Sequence, residues 1–191
     1  MSAETKIEWR AAVLEARRST SPSDRATEDR AIEHHVCAAV APGTTVCAYV
    51  PTRLEPGTVD LLDAIRGIAG RVLLPVTGEP GPLQWAEFTG SGHLLPAARG
   101  LREPSGPRLD AHELFLADVV FVPALAVDRR GVRLGRGAGY YDRTLHAAGP
   151  ETRLVTIVRD TELVDHLPED PHDIRMGWAI TPTLGLRSLE E

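Results

Sequence analysis

Residues 131–145 read GVRLGRGAGYYDRTL. Gly135, Gly137 and Gly139 alternate with Arg136 and Ala138, and Arg133 and Leu134 lead into them. Without Cβ atoms, glycines let the backbone bend freely and approach a ligand closely. Successive N–H groups in such a turn form an anion-binding concavity, and a helix beginning near Tyr140 would add its positive end. Arg133 and Arg136 bring full charges with donors suited to phosphate oxygens. Asp142 offers a hard oxygen ligand to Mg2+, the ion that accompanies nucleotide phosphates. The string is not a P-loop, because no Gly-Lys-Ser/Thr follows, and it is not the dinucleotide fingerprint. A plain flexible turn, with Tyr140 and Tyr141 packed into a core, accounts for the same residues. Residue types alone leave both readings open.

Such a loop must be held by ordered elements. A helix is expected from Ile7 to Arg18, and a second from an N-cap at Ser21, with Pro22 at its first position, to about Ala39. TTVCAYV, Thr44 to Val50, is a short apolar run rich in β-branched residues and predicts a buried strand. VDLLDAIRGIAG predicts a helix stopped by Gly70, and RVLLP a second buried strand. Leu83 to Phe88 fits an edge strand, whereas Gly90 to Pro107 reads as loop. DVVFVPAL, Asp118 to Leu125, is the strongest strand signal, and it runs directly into the glycine string. A helix from Tyr140 to Ala148, a strand from Arg153 to Val158 and a last strand at GWAIT complete the order. This alternation predicts a single α/β domain over residues 1–191, a three-layer sandwich with a mostly parallel central sheet flanked by helices. In such sheets ligands bind beyond the carboxyl ends of the strands, so the loops after Val50, Pro75, Leu125 and Val158 are the ones to watch.

The 191 residues suffice for one substantial core. A formal net charge of -6 argues against general nucleic-acid binding. No apolar run is long enough to span a bilayer, and MSAETKIEWR lacks the apolar core of a signal peptide, so the expected location is cytoplasm. Cys37 and Cys47 form no CxxC pair and are expected to be reduced. His34 and His35 adjoin on a helix and cannot share one metal on one face.

The longer string VPALAVDRRGVRLGRGAGYYDRTL resembles the signature of the 5-formyltetrahydrofolate cyclo-ligase family. The match runs through Pro123, Asp128, Gly131, Arg133, Leu134, Gly135, Gly137, Gly139, Tyr140, Tyr141, Asp142 and Leu145. Further matches extend along nearly the whole chain. Lys6 and Arg10 stand at i and i+4 on one helix face, and Tyr49, Glu55 and Thr58 follow the first strand. Leu73 to Pro75, Glu103-Pro104 and His172-Asp173 also fit. Two positions depart from the pattern. Arg99 stands near the place of an aromatic that would stack on substrate, with Trp85 as a candidate replacement, and Val127 precedes Asp128 in place of Phe.

The resemblance implies an ATP- and Mg2+-dependent ring closure of 5-formyltetrahydrofolate, with Arg136 and Tyr140 catalytic. It implies ATP contacts from Lys6, Arg10 and the run Arg133, Leu134, Gly135, Arg136, Gly137, Ala138, Gly139, Tyr140 and Tyr141. Tyr49, Val50, Glu55, Arg136, Gly137, Gly139 and Tyr140 would bind folate, and Asp142 with Asp173 would hold Mg2+. The implied partners are two small molecules, ATP and 5-formyltetrahydrofolate, for a monomer or weak homodimer that uses neither nucleic acid nor membrane. Two alternatives keep the fold. One is an isomerase or CoA transferase that needs no ATP; the other is a non-catalytic folate- or nucleotide-binding protein.

Overall fold

A computed structural model describes residues 5–77 and 81–189, apart from the side chain of Arg99. Two helices come first. Helix α1, Lys6–Ser19, begins with a capping box in which Thr5 and Glu8 satisfy each other's backbone donors. Helix α2, Pro22–Ala39, has the expected cap: Ser21 Oγ accepts from the Asp24 amide, and proline occupies the first turn.

Strands β1 (Thr45–Cys47), β2 (Arg71–Val76) and β3 (Gln84–Glu87) are followed by the small hairpin β4 (Leu94–Pro96) and β5 (Arg102–Pro104). Helix α3, Val59–Arg66, lies between β1 and β2. Strand β6 (Val119–Pro123) leads to the short strands β7 (Ala126–Asp128) and β8 (Arg133–Leu134), then to helix α4, Tyr140–Leu145. Strands β9 (Arg153–Ile157), β10 (Leu163–Val164), β11 (Trp178–Thr181) and β12 (Gly185–Ser188) complete the described chain.

The main sheet has seven strands in the order β12-β11-β9-β6-β1-β2-β3. Its five inner strands pair in parallel, and β3 and β12 close the edges antiparallel. Alternate residues face opposite layers, as the pleat requires. Val46, Val72, Leu74, Val119, Phe121 and Ile157 join Ile32 and Val36 of α2 and Leu62 and Ile65 of α3 in one core. Cys47, Leu73, Val120 and Val122 face the other way, toward Leu114, Trp85 and Leu145 of α4. The mostly parallel α/β sandwich is therefore as expected.

Several expectations are corrected. The third helix stops at Gly67, three residues before Gly70, because the Gly67 amide already closes the last turn on Asp63 and Ala64. The Gly90–Pro107 stretch contains the β4–β5 hairpin, whose three-residue strands are too short to show a period in sequence. The run Asp118 to Leu125 ends as strand at Pro123, and a separate strand, β7, follows. Helix α4 ends at Leu145 instead of Ala148. A further edge strand, β12, lies beyond the expected last one.

Strand order reverses between β1 and β6: the chain moves from β1 outward to β2, and from β6 outward to β9 and β11. This switch point opens a crevice at the carboxyl ends of β1 and β6. The segment after Cys47 flanks it on one side, and β7, β8 and the glycine loop on the other.

Candidate functional site

The glycine loop is suspended between two fixed ends. At its start, β8 pairs antiparallel with β7, and Asp128 closes the intervening turn. The buried Asp128 carboxylate accepts from the Arg130 and Val132 amides at 3.0 and 2.9 Å, and from the Leu167 amide at 3.0 Å. The Arg130 guanidinium adds an ion pair at 2.7 Å. At the loop's far end Gly139, with φ of +69°, enters α4.

The loop borders a cleft of about 230 Å³. Lys6, Arg10 and Arg133 bring positive charge to it; Asp142, Asp170 and Asp173 bring negative charge. Gly135, Gly137 and Gly139 form part of the wall. The absent Cβ atoms have a visible use here. A Cβ on Gly135 would stand 2.8 Å from Arg133 Nη1, and at Gly137 it is the φ of +97° that favours glycine, since a Cβ there would meet the Arg10 guanidinium at an ordinary 3.5 Å. Arg10 Nε also donates to the Gly135 carbonyl at 2.9 Å. Of the i, i+4 pair on α1, Arg10 reaches the loop and Lys6 lines the same cleft.

Each charged group already has a partner. Lys6 Nζ donates to Asp170 at 2.7 Å and to Asp173 at 2.6 Å. Burial acts to lower the Lys6 pKa, but the two carboxylates outweigh it and hold the ammonium above its ordinary value. The Lys6 hydrogen bond in turn holds Asp170 below the usual carboxylate range. Arg133 donates to the Pro123 carbonyl and to Asp142, and its guanidinium covers the Tyr141 ring.

The two expected metal ligands, Asp142 and Asp173, line the same cleft. Ligand atoms of Asp173, Asp170 and His172 lie within 4.8 Å of one another. Asp170 and Asp173 offer the carboxylate oxygens that Mg2+ prefers, the third member is an imidazole, and Asp142 is not in this group. Asp170 and His172 were not assigned as ligands from sequence. Asp170 has no signal beyond the string PEDPHD, which otherwise reads as a charged turn, whereas His172 also belongs to the His172-Asp173 match to the family pattern.

The expected folate residues divide into two groups. Arg136 extends from the loop across the crevice, donating to Thr52 Oγ1 at 3.0 Å and standing 3.4 Å from Glu55. Glu55 is nearly buried and accepts from the Thr52 amide at 2.8 Å. Tyr140 is half-buried at the start of α4, with Arg143 over its ring. Ala138 is exposed, and its carbonyl accepts from Arg143. Leu134, by contrast, packs in a small core with Val13 of α1.

Tyr49 is buried in the main core, and Val50 is partly buried against it. Tyr49 borders a small apolar hollow with Pro51, Leu61 and Phe121. The hydroxyls of Tyr49 and Tyr141 are both sealed from solvent with no hydrogen-bond partner among the described residues. Burial pushes both phenols up, and the Glu55 charge adds to the shift in each. Trp85, on the edge strand β3, is 1% exposed and packs on the sheet face of Cys47 and Leu73, so it belongs to the core and is no stacking wall. The side chain of Arg99 lies outside the described residues.

A mostly parallel sheet with a charged cleft beside the glycine loop that follows β6 defines an α/β protein of the class that binds ligands beyond its strand ends. Comparison with known proteins narrows this. The model of the 5-formyltetrahydrofolate cyclo-ligase family matches residues 2–182. The chain belongs to that family, a group of folate-metabolism enzymes. A 5-formyltetrahydrofolate cyclo-ligase of Mycolicibacterium smegmatis is 46% identical over 194 residues, covering 99% of this chain and 100% of the relative. One from Escherichia coli K12 is 31% identical, over 73% of this chain and 78% of its own. Among solved structures, Aquifex aeolicus 5,10-methenyltetrahydrofolate synthetase superposes with a TM-score of 0.77 at 26% identity, covering 97% of this chain and 93% of the other. The Mycoplasma pneumoniae synthetase shares the fold, with a TM-score of 0.74 at 19% identity, over 92% of this chain and 98% of the other.

Proposed function

We propose that the protein couples ATP consumption to closure of 5-formyltetrahydrofolate into 5,10-methenyltetrahydrofolate, releasing ADP and phosphate. The observation that carries this reading is the two-sided placement of the glycine loop. One side borders the cleft of Lys6, Arg10 and Arg133, and the other sends Arg136 to Thr52 and Glu55. A triphosphate on the first side and a folate on the second would meet at Arg136.

In the proposed chemistry the formyl oxygen attacks the γ-phosphorus and ADP leaves. N10 of the folate then attacks the activated formyl carbon and gives up its proton to solvent, and phosphate leaves. No protein nucleophile is required; what the protein supplies is positioning and charge. Alignment of two reactants contributes about 7–11 kcal/mol in favourable cases. Lys6, Arg10 and Arg133 hold ATP phosphates, with the backbone from Leu134 to Tyr141 along them. Arg136 stabilises the transferring phosphoryl group. Glu55 accepts from the pterin end, and Tyr49, Val50 and Tyr140 shape that pocket. Asp142 and Asp173 would hold Mg2+, which neutralises triphosphate charge. Arrival of Mg-ATP would exchange the carboxylate partners of Lys6 for phosphate oxygens. Among the described residues no helix is long and apolar enough to cross a membrane.

The test mixes purified protein with 5-formyltetrahydrofolate and Mg-ATP at neutral pH, following methenyltetrahydrofolate absorbance and ADP. Equal, coupled appearance of both products is expected. Folded protein that yields neither, beside an active control, would overturn the proposal.

A further inference from the structure

Helix α1 carries Lys6 and Arg10 to the cleft, and its apolar contact is a small core that holds Val13, with Trp9 and Leu14 partly buried against it. Its two buried side chains are Val13 and Arg17, and Ile7 is 75% exposed. Residues 6, 10, 13 and 17 follow the helical repeat, so Arg17 is on the same face as the two cleft cations. It stands about 10 Å along the axis from Arg10 and about 16 Å from Lys6, at 1.5 Å per residue.

Arg17 is 1% exposed and makes a fork with Glu162: Nε to Oε1 at 2.6 Å and Nη2 to Oε2 at 2.8 Å. Nη2 also donates to the Ala124 carbonyl at 2.8 Å. The preceding carbonyl, of Pro123, accepts from Arg133. The end of β6 thus anchors α1 and the start of the glycine loop through adjacent carbonyls. The acceptor is itself fixed, because Glu162 Oε2 takes the Arg159 amide at 2.8 Å.

Apolar burial is non-directional and tolerates sliding, whereas a bidentate fork does not. A buried ion pair adds little net stability over apolar residues of similar size. This one even leaves Arg17 Nη1 without a partner. Stability alone is a poor reason for placing it here.

We propose that Arg17, through its fork to Glu162 and Ala124, is a positioning residue that sets the axial register of α1 and so places Lys6 and Arg10 for ATP. This rests on the reading of the cleft as the ATP site.

Two variants test it: Arg17→Lys, which keeps the charge but loses the fork, and the double variant Arg17→Met/Glu162→Met, which refills the space with apolar atoms. Steady-state kinetics would be read for each substrate separately, with amide exchange over residues 6–10 and thermal melting. Misplacement of binding groups by about 1 Å can cost large factors, so KM for ATP should rise about tenfold or more in both variants. KM for 5-formyltetrahydrofolate should change by less than about twofold, because its groups are not on α1. Amides of residues 6–10 should exchange faster, and the double variant should melt below the parent, because the buried Arg159 amide and guanidinium lose Glu162. Unchanged KM for ATP, or parallel rises for both substrates, would overturn the proposal. So would a folded double variant with parental ATP affinity. If Arg17→Lys does not fold, the double variant decides alone. A parent protein that neither binds nor turns over ATP would instead remove the ATP reading of the cleft.

Discussion

Replacing Asp128 by asparagine probes the hinge on which the cleft depends. The carboxylate is 0% exposed and both oxygens are fully engaged. Oδ1 accepts from the Arg130 and Val132 amides, and Oδ2 from the Leu167 amide and the Arg130 guanidinium. An asparagine has one acceptor oxygen, and its NH2 must face donors whichever way it turns. The less damaging orientation points NH2 at Leu167 and Arg130. It leaves the buried Leu167 amide unpaired, at about 1–3 kcal/mol. It also loses the charge opposite Arg130, whose side chain is 34% exposed and recovers part of the loss from water. The sum is about 2–4 kcal/mol. For a chain of this length each kcal/mol lowers Tm by about 2–4 °C, so a loss near 3 kcal/mol corresponds to about 6–12 °C. Urea and thermal denaturation at neutral pH, followed by circular dichroism, would measure it. The effect should also reach the site, because Leu167 begins the segment that carries Asp170 and Asp173. A loss below about 1 kcal/mol would refute the claim that this carboxylate is irreplaceable by an amide.

Three further outcomes are expected. Arg136→Ala should lower kcat by roughly 10²–10³-fold while KM for ATP moves far less, as for loss of one oxyanion donor; equal kcat would remove Arg136 from catalysis. Asp142→Asn should raise the Mg2+ concentration needed for half-maximal rate, and an unchanged Mg2+ dependence would end the assignment of Asp142 to the metal. The buried phenols of Tyr49 and Tyr141 have folded pKa values above the ordinary one. Above about pH 10 the unfolded chain releases these protons while the folded chain keeps them, so stability must fall as pH rises. Melting profiles across that range should be steeper for the parent than for Tyr49→Phe/Tyr141→Phe, and equal slopes would contradict the burial.

Local chemistry made part of this legible. The Ser21 cap with Pro22 starts α2 where the sequence places it, because a cap depends on residues within one turn. Thr45–Cys47 and Arg71–Val76 form inner parallel strands because both are continuous apolar runs that suit burial on two faces. The string from Asp128 to Leu145 was specific enough to place the chain in its family and to locate the loop beside the cleft.

Sequence alone therefore accounts for the α/β class, the order of the long elements and the loop at which chemistry would be sought. Side-chain partnerships come from packing. Lys6 meets Asp170 and Asp173 more than 160 positions away, and Arg136 crosses to Thr52. Arg17 looks like a solvated helix residue until β6 and the turn after β9 close over it. Trp85 becomes core because the Leu109 segment pairs with its backbone. Propensities and caps act over a few neighbours, whereas ion pairs, burial and two-residue strands such as β8 exist only once distant segments pack together.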